Sequence, residues 1–177
     1  MNYAEMVKTL AKPGAVILAT LTPEDCHNWH MASCLLGEAG EYHEAEGREH
    51  RIEELGDLEF YVEGLRQGYG IDHEETTGYV SNENRLPLVV AAAMVFDAMK
   101  KQVIYRKELD RVKMLMALNM FEAAMYSERF VLNVSRAEVL DANQKKLLTG
   151  KNARYASGQY SDQQAQERAD KKESGDA

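Results

Sequence analysis

Residues 38–66 read EAGEYHEAEGREHRIEELGDLEFYVEGLR, and their pattern predicts two helices joined by a short connection. In the second half of this segment, apolar side chains recur at spacings of three and four residues, which is the period of one buried helix face. They are Ile52, Leu55, Leu58, Tyr61, Val62 and Leu65. Because Gly47 lies at the connection, we expect a short turn there that makes the two helices antiparallel neighbours.

Helical patterns also dominate the rest of the chain, and no alternating pattern is long enough for a useful β-strand. Thr22 before Pro23 has the signature of a helix N-cap, and Ser135 with Glu138 has that of a capping box. We therefore expect an all-α helical bundle. The expected helices cover residues 2–12, Thr22 to about Gly47, 49–66, the segment after Pro87, roughly 109–127 and 135–150, with a loop over 71–85.

Composition limits the possible functions. The chain has 177 residues, 45% of them hydrophobic and 28% charged, which is typical of one soluble domain. No run of 18 apolar residues occurs, the N-terminal segment is too polar for a signal peptide, and Cys26 and Cys34 can form at most one disulfide. With a net charge of −8, binding to bare nucleic acid is not expected. We expect a cytoplasmic protein that contacts no membrane.

The negative charge is concentrated in one region. Residues 38–63 contain ten acidic side chains and two arginines, so they carry a charge equal to that of the whole chain. A solvated helix face explains any single one of these acids. Like charges at neighbouring helical positions repel one another, however, and the cluster as a whole calls for a compensating cation.

Two pairs of acids stand out within this region. Glu38 and Glu41 are three residues apart on the first helix, and Glu54 and Asp57 are three apart on the second, so each pair shares one helix face. Antiparallel packing would bring the four carboxylates together. Hard oxygen ligands in this number suit Mg²⁺ or Mn²⁺. A glycine inside each pair, Gly40 and Gly56, is expected to let the two helix backbones approach closely.

The motifs GEAGE (37–41) and ELGD (54–57), separated by twelve residues, resemble the ExxE–ExxD pair of the MazG-like nucleotide pyrophosphohydrolases. This all-α superfamily also includes the dimeric dUTPases and phosphoribosyl-ATP pyrophosphohydrolase. The segment from Asn143 to Leu147 is similar to the family's N-x-x-K-L stretch. The segment 153–170 resembles an RYP-G-F-S tail common in phage members, with Ala156 in place of the proline. The resemblance covers about 28–70 and 132–170.

The resemblance implies a metal-dependent hydrolase that splits a nucleoside triphosphate between its α- and β-phosphates, releasing the monophosphate and diphosphate. It implies metal ligation by Glu38, Glu41, Glu54 and Asp57, one of which would also activate water. Asn143, Lys146 and Arg154 would hold phosphate oxygens. A phage-type member that prefers a purine such as dGTP is one expectation, and house-cleaning of damaged or non-standard nucleotides is equally open. The enzyme would act in the host cytoplasm if the source is viral. Either a homo-oligomer (a dimer or a dimer of dimers) or an intrachain pseudo-dimer is implied.

The middle of the chain suggests an internal repeat. When residues 87–127 are aligned with the first helical pair, the four metal-ligand positions fall on Ala91, Met94, Ala117 and Met120. We hypothesise a second helical pair that has lost its metal. The expected organisation is a single domain over 1–160, with a metal-binding pair over 28–68 and the degenerate pair over 87–127, followed by a polar tail over 161–177.

Other readings remain open. A sister activity, either phosphoribosyl-ATP pyrophosphohydrolase or a dUTPase-like reaction, uses the same kind of acidic site. A non-catalytic helical protein that binds or assembles through its acidic face is the alternative from another class. Trp29 and His30 are candidates to contact a nucleobase, although a role in the core or at a helix start is the favoured explanation for each of them.

Overall fold

The computed structural model describes residues 1–76 and 86–171, and within these ranges the chain is all-helical with no β-strand, as predicted. The helices are α1 (Tyr3–Leu10), α2 (Gly14–Leu18), α3 (Pro23–Glu44), α4 (Arg48–Tyr69), α5 (His73–Thr76), α6 (Leu88–Tyr105), α7 (Arg111–Leu132), α8 (Arg136–Gln144) and α9 (Asp162–Glu167). A π-helical turn, Lys145–Thr149, continues α8, and a 3₁₀ turn, Ala169–Lys171, follows α9.

Capping residues define the helix starts that the sequence predicted. The Thr22 side chain accepts a hydrogen bond from the Asp25 N–H, and the Asp25 carboxylate accepts one from the Thr22 N–H at 3.0 Å, which closes a capping box before α3. Ser135 and Glu138 form the same arrangement before α8. Each box satisfies amide donors that the first helical turn leaves without partners, so these local signals fixed the helix starts correctly.

The first helical pair consists of α3 and α4, which pack as antiparallel neighbours. Gly47 connects them with a positive φ of 80°, a conformation that glycine adopts without strain. Contrary to expectation, Gly40 does not mediate the close approach, because no atom lies within 4 Å of the position that a Cβ would take there. Gly64 of α4 has this role instead, since a Cβ on it would overlap the sulfur of Met31 on α3.

The second helical pair, α6 and α7, covers the region of the proposed repeat. Helix α6 packs against both α3 and α7, so the four long helices share one core. Ala91 and Ala117, two of the positions aligned with metal ligands, are buried there. The two pairs are therefore packed together in one bundle, while their common origin stays a hypothesis.

A group of buried charges joins α4, α7 and α8, and we call it the buried charge cluster (Glu59, Arg66, Glu122, Arg129 and Arg136). Arg66 is only 1% exposed and pairs with Glu122. Arg129 donates to Glu59 Oε1 at 2.8 Å, and Arg136 lies 2.9 Å from Glu59 Oε2. Pairing of this kind compensates for the removal of each charge from water.

Several boundaries differ from the sequence expectation. Helix α2 was not predicted, because a five-residue helix with no buried side chain leaves no periodic signal. The segment expected as a loop, 71–85, begins with the short helix α5, and its residues 77–85 lie outside the described residues. The predicted tail contains the short helix α9, and residues 172–177 are likewise outside the described part. None of the described helices combines the length and apolar character needed to cross a bilayer.

Candidate metal centre

Three carboxylates of the first helical pair converge on one point. Glu38 and Glu41 come from α3 and Glu54 from α4, and one carboxylate oxygen of each lies within 4.8 Å of the other two. These acids, together with Asp57, line a small pocket of about 100 Å³. The i, i+3 spacing on two antiparallel helices therefore brings three of the four predicted carboxylates together, whereas the fourth, Asp57, lines the pocket outside that convergent group. We call these four residues the acidic quartet.

Two acids of the quartet, Glu38 and Glu54, are held in an environment that disfavours their charged forms. Burial, followed by the charges of Asp57 and Glu41, raises the pKa of Glu38 to about 8. Burial also raises the pKa of Glu54, which is 3% exposed. Removing carboxylates from water while placing them beside one another disfavours their charged forms. A cation at this point would relieve both effects.

Glu54 has one oxygen without a partner in the described residues. Its Oε1 atom lies 3.1 Å from His50 Nε2, one turn earlier on α4, whereas its Oε2 atom is buried and accepts no hydrogen bond. A buried oxygen without a donor is costly unless a ligand satisfies it. Because Glu54 lines the pocket, this oxygen is available to a ligand that binds there.

Asp57 is held differently from the other three acids. Its Oδ1 atom accepts a hydrogen bond from Asn143 Nδ2 at 2.9 Å, and its Oδ2 atom pairs with Lys146. Lys146 also lies 3.3 Å from Glu53 Oε1. Asp57 thus lines the pocket beside the three convergent carboxylates, but it already has an ammonium and an amide as partners.

Gly56 is what allows Asn143 to reach Asp57. A Cβ on Gly56 would lie 2.8 Å from the Asn143 Cβ and 3.0 Å from its Nδ2. Gly56 was expected to admit α3. In the structure it admits α8, which also packs against α4.

The π-helical turn after α8 orients the basic side of the site. The turn Lys145–Thr149 carries Lys146, which pairs with Asp57, and the buried Leu147, which lines the small pocket. Single π-helical turns within α-helices occur frequently at functional sites.

A larger pocket of about 930 Å³ adjoins the acidic quartet. It shares five lining residues with the small pocket: Phe60, Tyr61, Leu147, Arg154 and Tyr155. His30 and Tyr160 extend its aromatic wall. This cavity is largely apolar and lies next to a charged site. It is large enough to enclose the ring system of a ligand whose charged group extends to the acidic quartet.

Two arginines face the acidic quartet from the C-terminal part of the chain. Arg154 and Arg168 both line the small pocket. Arg154 is bound by Asp170, with Nε to Oδ1 at 2.9 Å and Nη2 to Oδ2 at 2.6 Å. The small pocket therefore has acids on one wall and guanidinium groups on another.

All seven site residues chosen from the sequence lie in this one region, as metal-ligand candidates (Glu38, Glu41, Glu54, Asp57) or phosphate-binding candidates (Asn143, Lys146, Arg154). Sequence reasoning missed Arg168, Asp170 and the aromatic side chains Phe60 and Tyr155. Of the two candidates for base contact, His30 lines the large pocket, whereas Trp29 packs edge-on against Phe96 at 5.8 Å.

A scan of protein-family models and searches of curated proteins and of solved structures each found no match to this chain.

Proposed function

We propose that this protein is a nucleoside triphosphate pyrophosphohydrolase that depends on a divalent metal ion. The reaction converts a (d)NTP and water into the (d)NMP and diphosphate, with cleavage between the α- and β-phosphates. The observation that carries the proposal is the convergence of Glu38, Glu41 and Glu54 within 4.8 Å, beside Asp57 and next to a large pocket. The motif resemblance supplies the reaction and the bond that is split.

The donor set fits Mg²⁺ or Mn²⁺. Carboxylate oxygens are the ligands that these ions prefer, and the partnerless Glu54 Oε2 provides a buried donor oxygen. His50 lies against the other Glu54 oxygen, where it can orient the carboxylate in the way that outer partners of metal ligands do. A bound ion would neutralise charge on the phosphates. It would also lower the pKa of its bound water, so that a nucleophile forms at neutral pH.

The other residues have roles that follow from their contacts. Lys146 and Asn143 hold Asp57 in place, and both can turn to phosphate oxygens when a triphosphate enters. One quartet carboxylate accepts the proton of the attacking water, and all four are candidates. The large pocket would receive the nucleoside, with its base against the aromatic wall of Phe60, Tyr61 and Tyr155.

A purine such as dGTP is the substrate that we propose to test first. A phage-type role, action in the cytoplasm, and assembly as a dimer or as an intrachain pseudo-dimer are part of the same proposal. Phosphoribosyl-ATP and dUTP are included as the sister substrates.

The non-catalytic alternative is an acidic face that binds a partner protein. Burial argues against it, because a protein-binding acidic face needs solvated carboxylates, whereas Glu54 is buried and Glu38 is partly so. Retaining such acids without function would be costly.

The test is a panel of canonical triphosphates, dUTP and phosphoribosyl-ATP with Mg²⁺ or Mn²⁺, with diphosphate release as the measurement. We expect turnover that is lost in Glu41→Ala and Asp57→Ala while both variants keep their helical circular dichroism. Glu44→Gln is the matched control, since Glu44 is an exposed acid on the same helix outside the quartet. Release of single phosphate, or no turnover of any substrate, would refute the proposal.

A further inference from the structure

The C-terminal segment returns to the acidic site. Ala165, on α9, lines the large pocket, and Arg168, directly after α9, lines the small pocket. Asp170 lies in the 3₁₀ turn that follows. By composition this segment is a polar tail.

Arg168 is an exposed arginine that lines the small pocket. Its guanidinium makes no hydrogen bond or ion pair with any residue in 1–76 or 86–171, even though the four acids line the same pocket. Its backbone adopts a left-handed conformation with φ 43°, which ends α9.

Arg154 is held by a partner from the same segment. Both oxygens of Asp170 accept hydrogen bonds from its guanidinium, and the Asp170 side chain is only 3% exposed. A two-pronged pair of this kind fixes the plane of the guanidinium. Arg154 lines both pockets. Asp170 therefore sets the direction in which the remaining N–H groups of Arg154 point.

A pocket with carboxylates on one wall and guanidinium groups on the other suits a ligand that carries both signs of charge. A divalent cation would meet the acids, and the phosphate oxygens bound to that cation would meet the arginines. Guanidinium groups bind phosphates through paired hydrogen bonds and are always charged at physiological pH.

We propose that Arg168 binds the terminal phosphates of the triphosphate and that Asp170 is a positioning residue that aims Arg154 at the same group. The inference rests on the proposed function and adds the C-terminal segment to its substrate site.

The test compares Arg168→Ala, Arg168→Lys and Asp170→Asn with the wild-type protein, using dGTP or the best substrate of the panel. We expect Arg168→Ala to raise KM by roughly tenfold to a hundredfold, as loss of a charge-assisted hydrogen bond does, with kcat changed far less. Arg168→Lys should recover part of the loss. Affinity for Mn²⁺ alone, measured by calorimetry, should stay unchanged. Arg111→Ala is the matched control, because Arg111 pairs with Glu75 and lines neither pocket.

Asp170 is tested through its coupling to Arg154. If it acts by positioning, the double variant Arg154→Ala/Asp170→Asn should have the same KM as Arg154→Ala alone. Equal KM values for Arg168→Ala, Arg111→Ala and the wild type, while Glu41→Ala is inactive, would overturn the inference and leave the proposed function standing. Absence of turnover by the wild type would contradict both the inference and the proposed function. If Asp170→Asn fails to fold, the Arg168 variants decide the outcome.

Discussion

The Cβ of Asn143 lies 2.8 Å from the position that a Cβ on Gly56 would occupy, so the contact between α8 and the acidic helix α4 requires glycine there. Asn143 donates to Asp57 from this position at 2.9 Å. A backbone feature of α4 therefore decides whether the second acid of the ELGD motif obtains its amide partner.

Gly56→Ala should disturb the site, because the clash involves the Asn143 Cβ and cannot be relieved by turning a flexible side-chain end. We expect a loss of about 1–3 kcal/mol in the free energy of unfolding, as for other overpacked positions, and at least a tenfold drop in kcat/KM. Gly40→Ala is the control, since nothing lies within 4 Å of its Cβ position. It should gain about 0.5–1 kcal/mol and keep its activity. Equal behaviour of the two variants in urea unfolding and in the assay would contradict this account.

The charge of Lys146 should have opposite effects on the affinity for the metal ion and on the affinity for the triphosphate. Lys146 pairs with Asp57 and lies 3.3 Å from Glu53. Lys146→Met removes a positive charge beside the quartet, so we expect Mn²⁺ to bind a few-fold more tightly. The KM for the triphosphate should rise about tenfold because a phosphate partner is lost. Calorimetry and steady-state kinetics measure the two effects. A decrease in Mn²⁺ affinity would contradict the assigned geometry.

Stability without divalent ions should fall as pH rises. Burial and neighbouring acids raise the pKa of Glu38 from its ordinary value of 4.5 to about 8, so between these values the folded protein keeps a proton that the unfolded chain has released. Linkage then lowers the free energy of unfolding across that window. Thermal melts from pH 5 to 8.5 should show this decline in EDTA.

The same melts identify the group responsible. Glu38→Gln should flatten the decline, whereas Glu44→Gln should leave it unchanged. Addition of Mn²⁺ should raise the melting temperature most at the alkaline end, because a ligand that binds the folded state stabilises it. An identical pH slope in Glu38→Gln and in the wild type would show that another group causes the effect.

The helix starts and the acidic pairs could be predicted from sequence because their signals are local. Capping boxes and i, i+3 spacing depend on a few neighbouring residues. The partners of Gly56 and the buried charge cluster depend on which helices pack together, and local sequence does not report that. Arg168 was missed for the same reason: in the sequence it is one charged residue in a polar tail, and only the packing of the C-terminal segment brings it to the pocket.

The buried charge cluster should matter for stability more than for chemistry. Arg66→Ala leaves the Glu122 carboxylate buried without its nearest partner, and we expect a loss of about 3–5 kcal/mol in the free energy of unfolding. Arg66→Met/Glu122→Leu replaces both charges with apolar groups and should recover much of that loss. Urea unfolding of the single and double variants measures the difference. A double variant no more stable than Arg66→Ala would contradict the pairing.

The central claim is that the acidic quartet holds divalent ions that promote cleavage of a triphosphate between its α- and β-phosphates. Phosphorus NMR of dGTP, and of the other panel substrates, incubated with the protein and Mg²⁺ tests it most directly. We predict equal amounts of the nucleoside monophosphate and inorganic diphosphate. Both should form only while Mg²⁺ is present, and EDTA should block their formation. Appearance of the nucleoside diphosphate with single phosphate, or intact substrate throughout the panel, would contradict the claim.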